Sequence, residues 1–250
     1  MPAFTHRTIL ITGAASGIGL ATAHHLAHAG AARLVLVDSD ADALARIDLP
    51  CTLDLLPGDV RDEAFWDNAA AYLGDLDHAV VNAGVAGASG IADHDFAEWR
   101  RILSVNLDGA FLTLRAAMRA MKRRGGSIVA TASATGIKPE PGTAAYGASK
   151  AALMHLVKVA AKEGAASNIR VNAVAPAGVE TPVWDAVPMF AASAAEIGRD
   201  AAFAEIARAA TPLGRFASAD EIATQIAFLL SDNAALVTGT TLVSDGGYTL

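Results

Sequence analysis

The chain has 250 residues and a net charge of −7, which is enough for one α/β domain with a substantial buried core. Hydrophobic residues make up 53%, but 58 of the 250 residues are alanine, so much of this excess consists of single methyl groups. No apolar run reaches the roughly 18 residues that a membrane span needs, and no basic stripe or disordered linker occurs. We therefore expect a single domain over residues 1–250, with no membrane span and no nucleic-acid partner.

Short β-branched runs alternate with alanine-rich segments along the whole chain, which indicates βαβ units. The predicted strands are Thr8–Thr12, Arg33–Asp38, Thr52–Leu56, His78–Asn82, Ser127–Ala132, Arg170–Val174 and Thr240–Val243. The predicted helices are Gly17–Ala29, Asp40–Ile47, Arg61–Leu73, Phe96–Arg124, Tyr146–Ala166 and Ala219–Leu230. Most strands are continuous apolar runs, as in a sheet covered on both faces. The pattern predicts an α/β fold with a doubly wound, Rossmann-like, seven-stranded parallel sheet.

A glycine-rich turn directly follows the first predicted strand and opens the first helix. It reads T-G-A-A-S-G-I-G over Thr12–Gly19, a context that lets backbone N–H groups and the helix dipole approach a pyrophosphate. On its own this turn could be an ordinary strand-to-helix connection. The predicted cofactor-binding residues of the turn are Gly13, Ser16, Gly17, Ile18 and Gly19.

Asp38 ends the second predicted strand, 19 residues beyond Gly19. A carboxylate at this place can accept hydrogen bonds from a ribose 2′-hydroxyl and would repel a 2′-phosphate, so we expect NAD as the cofactor rather than NADP. The alternative is that Asp38 caps the following helix, although Asp40 is the better placed cap.

Tyr146 and Lys150 stand at i and i+4 on a predicted helix and therefore share one face. A nearby ammonium favours the phenolate and lowers the tyrosine pKa, which suits an acid/base in hydride transfer. Ser133, which ends the fifth predicted strand, comes 13 residues earlier and lies at the same sheet edge as the glycine-rich turn. The alternative for the pair alone is a surface aromatic residue beside a solvated lysine.

With these residues the chain resembles the short-chain dehydrogenase/reductase family over essentially all of its length. The motifs that carry the resemblance are Thr12–Gly19, Asp59-Val60, Asn82-Ala83-Gly84, Asn106, Ser133, Tyr146 with Lys150, and Pro176 through Thr181. The resemblance implies a strand order of 3-2-1-4-5-6-7 and four catalytic residues, Ser133, Tyr146, Lys150 and Asn106.

Each of these residues takes a role from the resemblance. Tyr146 would exchange a proton with the substrate oxygen, which Ser133 would hold, while Lys150 would bind the nicotinamide ribose. Asn106 would anchor a water that links Lys150 to solvent, unless it is a buried amide at a helix kink. The implied cofactor contacts are Asp59 and Val60 at the adenine, Asn82, Ala83 and Gly84 beneath the adenosine ribose, Pro176 in the following loop, and Thr181 at the carboxamide.

Two positions depart from the family pattern. Val81 stands where an asparagine is usual, and Ala177 stands between Pro176 and Gly178, where proline and glycine are usually adjacent. We expect Ala177 to have to adopt the backbone conformation that a glycine would take.

Residues 181–216 follow the sixth predicted strand, and we predict that they form a mobile lid over the site, with short helices near Met189–Ile197 and Ala201–Ala210. Their apolar side chains suggest a large, apolar or alicyclic secondary alcohol or ketone as substrate. Alternatively, they pack on the body of the protein or on a neighbouring subunit.

The histidines at positions 24, 25 and 28 lack carboxylate or cysteine partners, so we predict no metal site. The single cysteine, Cys51, cannot form an internal disulfide, and the apolar run near Arg7 is too short for a secretory signal, so a cytoplasmic location is expected. The tail Thr240–Leu250 resembles the family's common subunit interface, which implies a homotetramer. The prediction is an NAD-dependent oxidoreductase; the alternatives are a 3-oxoacyl-carrier-protein reductase and a non-catalytic NAD-binding regulator.

Overall fold

A seven-stranded parallel sheet forms the centre of the molecule. The computed structural model describes residues 4–74 and 76–250. Its strands are β1 (Thr8–Thr12), β2 (Arg33–Asp38), β3 (Thr52–Pro57), β4 (His78–Val81), β5 (Gly126–Thr131), β6 (Ile169–Pro176) and β7 (Thr241–Ser244). Their order is β3-β2-β1-β4-β5-β6-β7, and all six neighbouring pairs are parallel. The predicted fold class and strand order are confirmed.

Two hydrophobic layers, one on each face of the sheet, account for the continuous apolar strands. Successive residues of one strand point to opposite faces. Leu10 accordingly belongs to one core cluster, while its neighbours Ile9 and Ile11 belong to the other. All three are fully buried. A strand that must be apolar on both faces cannot show the alternating pattern of a half-exposed strand.

Nine helices within the described residues surround or extend the sheet. They are α1 (Gly17–His28), α2 (Ala41–Ala45), α3 (Glu63–Ala69), α4 (Phe96–Leu103), α5 (Ala110–Met121), α6 (Ala144–Gly164), α7 (Pro188–Ile197), α8 (Arg199–Ala210) and α9 (Ala219–Leu230). Helix α9 packs against α1 on one face, and α3 packs against α5 on the other. No described helix is both long and apolar enough to cross a membrane.

Capping residues set helix starts that the sequence pattern placed slightly too early. The side chain of Asp40 accepts a hydrogen bond from the backbone N–H of Ala43, so α2 begins after it. Asp62 accepts in the same way from Ala64, so α3 begins at Glu63 rather than at Arg61.

The long helix predicted over Phe96–Arg124 is interrupted. A π-helical segment, Ser104–Gly109, joins α4 to α5, and Asn106 lies within it. Such π turns are frequent at functional sites because the extra residue redirects a side chain. The amide of Asn106 bonds to backbone groups of a neighbouring loop, which is what the local widening permits.

Residues 181–216, hereafter the lid, contain one 3₁₀ turn (Pro182–Ala186) and the helices α7 and α8, so the two short predicted helices are confirmed. The two ends of the lid lie side by side, because Val179 and Ala217 form an isolated parallel β-bridge. The lid has its own apolar cluster, in which Phe190 and Phe203 are buried against Trp184.

Candidate active site

The glycine-rich turn between β1 and α1 packs too tightly for side chains. Gly13 has a φ of +64°, and a Cβ there would lie 2.9 Å from the Cα of Ala83. A Cβ on Gly19 would lie 2.0 Å from the carbonyl oxygen of Gly13. The turn therefore presents bare backbone at the start of α1, which suits the close approach of a phosphate group.

Asn82 ties together the carboxyl ends of three strands. Its backbone N–H donates to the hydroxyl of Thr12 at 3.0 Å, and its side-chain amide donates to the carbonyl of Gly13 at 3.2 Å. Thr131 at the end of β5 donates to the Asn82 amide oxygen at 3.0 Å. Asn82 thus braces the turn and aligns the segment that continues into Ala83 and Gly84.

Asp38 lies at the carboxyl end of β2 and lines the same cavity as the turn. One of its carboxylate oxygens accepts from the backbone N–H of Ala15 at 2.9 Å, and the other accepts from that of Asp40 at 3.0 Å. Since each oxygen can accept a second hydrogen bond, the carboxylate still has acceptor positions for a ribose hydroxyl. Asp40, not Asp38, caps α2 through its side chain.

Asp59 and Val60 follow β3 and line the cavity, but Asp59 has a partner that sequence reasoning missed. The guanidinium of Arg61 lies 2.5 Å from its carboxylate, and this hydrogen bond holds the pKa of Asp59 below its ordinary value. Arg61 also lines the cavity. This pair could have been expected from the sequence, because an arginine two residues after Asp59 can reach its carboxylate with two hydrogen bonds.

The three catalytic candidates meet at one point of the cavity wall. Ser133 lies just beyond β5, and a side-chain hydrogen bond joins it to Tyr146 near the start of α6. The ammonium of Lys150 lies 5.7 Å from the centre of the Tyr146 ring. All three line the cavity.

The pKa of Tyr146 moves in the opposite direction to the sequence expectation. Burial raises it above its ordinary value, and the hydrogen bond with Ser133 opposes this only in part. Burial lowers the pKa of Lys150 to about 8, and its ammonium donates to the carbonyl of Thr131 at 2.7 Å. The expected net lowering of the Tyr146 pKa is therefore wrong for the protein alone, because burial disfavours the charged phenolate.

Asn106 is buried behind the site instead of lining the cavity. Its amide exchanges two hydrogen bonds with the backbone of Val85, at 2.8 and 2.9 Å, and donates a third to the hydroxyl of Ser149 at 3.1 Å. Its oxygen and the Lys150 ammonium both face Gly84, since a Cβ there would lie 3.3 Å from one and 3.4 Å from the other. Asn106 thus holds the loop at Gly84 and Val85, which the Lys150 ammonium also faces.

The segment after β6 completes the cofactor side of the cavity. Pro176 and Thr181 both line it, and the Thr181 hydroxyl donates to the carbonyl of Val179 at 3.3 Å. Ala177 is not among the described residues with a positive φ, so the expected glycine-like conformation is wrong. The glycine is needed at position 178, where a Cβ would lie 2.5 Å from the ring of Phe216.

One continuous cavity of about 1330 Å³ connects these groups and extends under the lid. Its apolar lid-side wall contains Val183, Trp184, Val187, Met189, Phe190 and Ile206. Sequence reasoning missed the polar wall made by Thr135, Lys138, Glu140, Thr143 and Tyr248. The first four follow Ser133 in the loop that leads to Tyr146, a proximity that could have identified them. Tyr248 comes from the C-terminal tail, and no sequence pattern places that residue near the cavity.

A nicotinamide dinucleotide fits the residues present. The bare backbone at Gly13, the start of α1 and the acceptor positions of Asp38 lie along the same cavity as Tyr146. Gly13, Ser16, Gly17 and Ile18 line that cavity, whereas Gly19 lies beneath the turn and supports it.

Comparison with known proteins agrees with this site. A family model described as enoyl-(acyl carrier protein) reductase matches residues 13–249. The cis-4-hydroxycyclohexanecarboxylate dehydrogenase of Sinomonas cyclohexanicum is 41% identical over 99% of this chain and 98% of that protein. A 3-oxoacyl-(acyl-carrier-protein) reductase of Thermotoga maritima is 36% identical over 96% and 97%.

Among solved structures, the 3-ketoacyl-(acyl-carrier-protein) reductase from Brucella melitensis complexed with NADH superposes with a TM-score of 0.85. It is 30% identical and covers 98% of this chain and 99% of that chain. The chain therefore belongs to the short-chain dehydrogenase/reductase family, and is an oxidoreductase of alcohols or ketones that uses a nicotinamide cofactor.

Proposed function

We propose that the protein transfers a hydride between NAD(H) and a secondary alcohol or ketone of apolar or alicyclic character, with Tyr146 as the general acid/base. The observation that carries this proposal is the meeting of Ser133, Tyr146 and Lys150 on the wall of the cavity that also contains Asp38.

The nicotinamide, when bound, accepts or supplies the hydride. Tyr146 gives a proton from its phenolic oxygen to a ketone oxygen or, as the phenolate, takes the hydroxyl proton from an alcohol. Ser133 donates a hydrogen bond to the same substrate oxygen and stabilises the charge that develops there. Lys150, whose pKa of about 8 leaves it largely protonated at neutral pH, provides positive charge beside the phenol.

The choice of NAD over NADP rests on Asp38. Its carboxylate would repel a phosphate on the adenosine ribose, and Ala15 and Ser39 beside it offer no cation to bind one. Arg61 is the nearest basic residue after β3, and its guanidinium is held by Asp59. We expect kcat/KM with NAD⁺ to exceed that with NADP⁺, and Asp38→Ala to reduce the ratio about tenfold or more. Preference of the unmodified enzyme for NADP⁺ would overturn this step.

The alicyclic character of the substrate is supported by the apolar lid wall and by one relative. Val183 and Met189 expose 44% and 79% of their surface, and both line the cavity beside Trp184. The Sinomonas relative is named for a substrate that is a hydroxylated cyclohexane ring.

The test is a panel of secondary alcohols with NAD⁺, followed by absorbance of the reduced nicotinamide. We expect kcat/KM for cyclohexanol to exceed that for 2-propanol. Equal or reversed values would overturn the apolar-pocket proposal, and NAD⁺ binding without turnover of any alcohol would favour the non-catalytic regulator instead.

A 3-oxoacyl-carrier-protein reductase is the second candidate, because a relative of that name is 36% identical to this chain. A carrier protein, being acidic, requires a basic surface near the mouth of the cavity. The basic run Lys122-Arg123-Arg124 directly precedes β5, at the opposite end of that strand from Ser133, and Arg124 pairs with Asp77. Since this basic run lies away from the mouth of the cavity, it disfavours a 3-oxoacyl-carrier-protein reductase. Higher activity on acetoacetyl-carrier protein than on cyclohexanone would favour that function again.

We further propose a homotetramer. Apolar side chains remain partly exposed on α5 (Phe111), α6 (Val159) and β7 (Val243), as expected of surfaces that a second copy covers. The mass in solution at micromolar concentration tests this, and a monomer would contradict it.

A further inference from the structure

We infer that Lys138 binds an anionic group of the substrate, so that the preferred substrate is a hydroxy or keto acid whose carboxylate is remote from the reacting carbon. This inference rests on the proposed function, since it concerns the far end of the same substrate.

Lys138 lies in the loop between Ser133 and Tyr146 and lines the cavity. Its ammonium donates to the backbone carbonyl of Tyr248 at 2.7 Å and lies 4.5 Å from the centre of that ring. An ammonium has three N–H donors, so two remain after this bond. The contacts with Tyr248 therefore fix the direction of the side chain and leave donors for a ligand.

Four cationic side chains line the cavity within the described part of the chain. Arg61 pairs with Asp59, and Arg101 pairs with Glu98. Lys150 is buried beside Tyr146 and serves the reaction. Lys138 is the remaining cation, and it forms no ion pair with a carboxylate of the described residues.

Glu140 lines the same wall as Lys138 and carries the opposite charge. One of its oxygens accepts a hydrogen bond from the phenol of Tyr248 at 2.7 Å, so the carboxylate is held at the hydroxyl end of that ring. Lys138 contacts the backbone carbonyl and the ring face of Tyr248 instead of the hydroxyl that bonds to Glu140. The two charges thus occupy different positions, and Glu140 reduces the attraction for an anion without neutralising Lys138 directly.

The placement selects among substrate chemistries. Ser133 and Tyr146 hold the reacting oxygen, and Lys138 lies five residues beyond Ser133 at the polar wall, opposite in character to the apolar lid wall. A molecule with a carbinol at one end, an apolar ring between, and a carboxylate at the other end would match all three surfaces. A neutral cyclic alcohol would match only two.

The experiment compares kcat/KM for 4-hydroxycyclohexanecarboxylate with that for its neutral carboxamide, each as separate cis and trans isomers, with cyclohexanol as reference. We expect the better carboxylate isomer to exceed its carboxamide about ten- to hundredfold, as for a charge-assisted hydrogen bond. Lys138→Met should abolish most of this ratio, and Lys138→Arg should retain it. Glu140→Gln should raise the ratio, because it removes the opposing charge and keeps an acceptor for Tyr248.

Lys158→Met is the matched control, since it removes the same charge from the exposed surface of α6 and should leave the ratio unchanged. A purely structural role of Lys138 in holding the tail would lower kcat/KM for carboxylate and carboxamide alike and leave their ratio intact, which would overturn the inference. Equal values for the two substrates in the unmodified enzyme would also overturn it. Absence of turnover on all three substrates, cyclohexanol included, would instead contradict the proposed function.

Discussion

The carboxyl edge of the sheet and the lid are built in different ways, although both form the walls of one cavity. At the sheet edge, buried backbone and side-chain hydrogen bonds hold each group, as Asn82 does for the glycine-rich turn and Thr131 does for Lys150. In the lid, aromatic rings pack on one another: the Phe190 and Phe203 centroids are 4.4 Å apart, and Trp184 contacts both.

This difference indicates that the two regions have different roles in the reaction. Hydrogen-bonded groups on buried strands keep one geometry, which a proton transfer requires, because slight misplacement of reacting atoms is costly. We propose that the aromatic cluster of the lid, joined to the body through the neighbouring segments at Val179 and Ala217, shifts as a unit. We therefore expect changes at the sheet edge to affect the chemical step, and changes in the lid to affect binding.

The largest effect should come from removing the acid/base. Tyr146→Phe deletes one oxygen, and we expect kcat to fall about 10²- to 10⁴-fold while NAD⁺ affinity stays within a few fold. Steady-state kinetics and a fluorescence titration of NADH measure the two quantities. Tyr72→Phe, at a half-exposed tyrosine away from the cavity, is the control. Retention of more than a tenth of the activity in Tyr146→Phe would contradict the assignment.

Shortening one buried side chain in each region tests whether the sheet and the lid unfold separately. Leu36 in β2 and Phe203 in the lid are both almost completely buried. Leu36→Ala should lower the free energy of unfolding by about 2–5 kcal/mol, since it leaves a cavity in the main core. Phe203→Ala should lower the global unfolding free energy much less and instead raise KM and the rate of proteolysis within the lid.

Urea unfolding and limited trypsin digestion of the two variants provide the measurements. If Phe203→Ala destabilises the whole molecule as much as Leu36→Ala does, the lid and the sheet unfold as one unit, and the proposed division between them is lost.

The sheet was predictable because its signal is repeated along the chain. Seven apolar runs separated by alanine-rich segments predict a doubly wound parallel sheet, and the family resemblance implies its strand order; the observed strand ends differ from the prediction by at most two residues. The candidate catalytic residues were identified from the i, i+4 spacing of Tyr146 and Lys150, from the place of Ser133 at a strand end, and, for Asn106, from the family resemblance.

The remaining features depend on contacts between distant segments. Asn106, in the π turn, exchanges hydrogen bonds with Val85, which is 21 residues away. The raised pKa of Tyr146 follows from its burial in the folded protein, which no i+4 spacing reveals. Tyr248 reaches the cavity wall through a bond to Glu140, 108 residues earlier. A local pattern contains no information on such pairs.

Acid should weaken the body of the protein through His78. This residue of β4 is buried, and burial lowers its pKa from 6.5 to about 4, although Asp77 opposes the shift. Between pH 6.5 and about 4 the unfolded chain binds the proton and the folded protein does not, so stability is complete above pH 6.5 and declines as pH falls. The full loss would be about 3 kcal/mol.

Urea unfolding at pH 7 and pH 4.5 tests this for the unmodified protein and for His78→Asn, with the exposed His155→Asn as control. We expect the His78 variant to lose less stability between the two pH values than the other two proteins. An identical loss in all three would assign the acid sensitivity to carboxylates instead.

The smallest effect should come from Arg199, which joins the lid helices to Thr181, the first residue of the lid, at the cavity wall. Its guanidinium lies 5.3 and 5.1 Å from the ring centres of Phe190 and Phe203, pairs with Asp185, and donates to the carbonyl of Thr181 at 2.9 Å. Arg199→Met keeps the length of the side chain but loses the bond to Thr181 and the exposed ion pair with Asp185. We expect KM for both NAD⁺ and the alcohol to rise about three- to tenfold, with kcat and Tm little changed, because the bond to Thr181 is lost and the exposed pair contributes little.

Arg208→Met is the matched control, since among the described residues this exposed arginine of α8 bonds within its own helix, to the carbonyl of Ala204. If Arg199→Met lowers kcat as strongly as it raises KM, the lid positions the reacting groups as well as the ligand. The two regions would then share the chemical step, and Thr181 would be the point at which the lid acts on it.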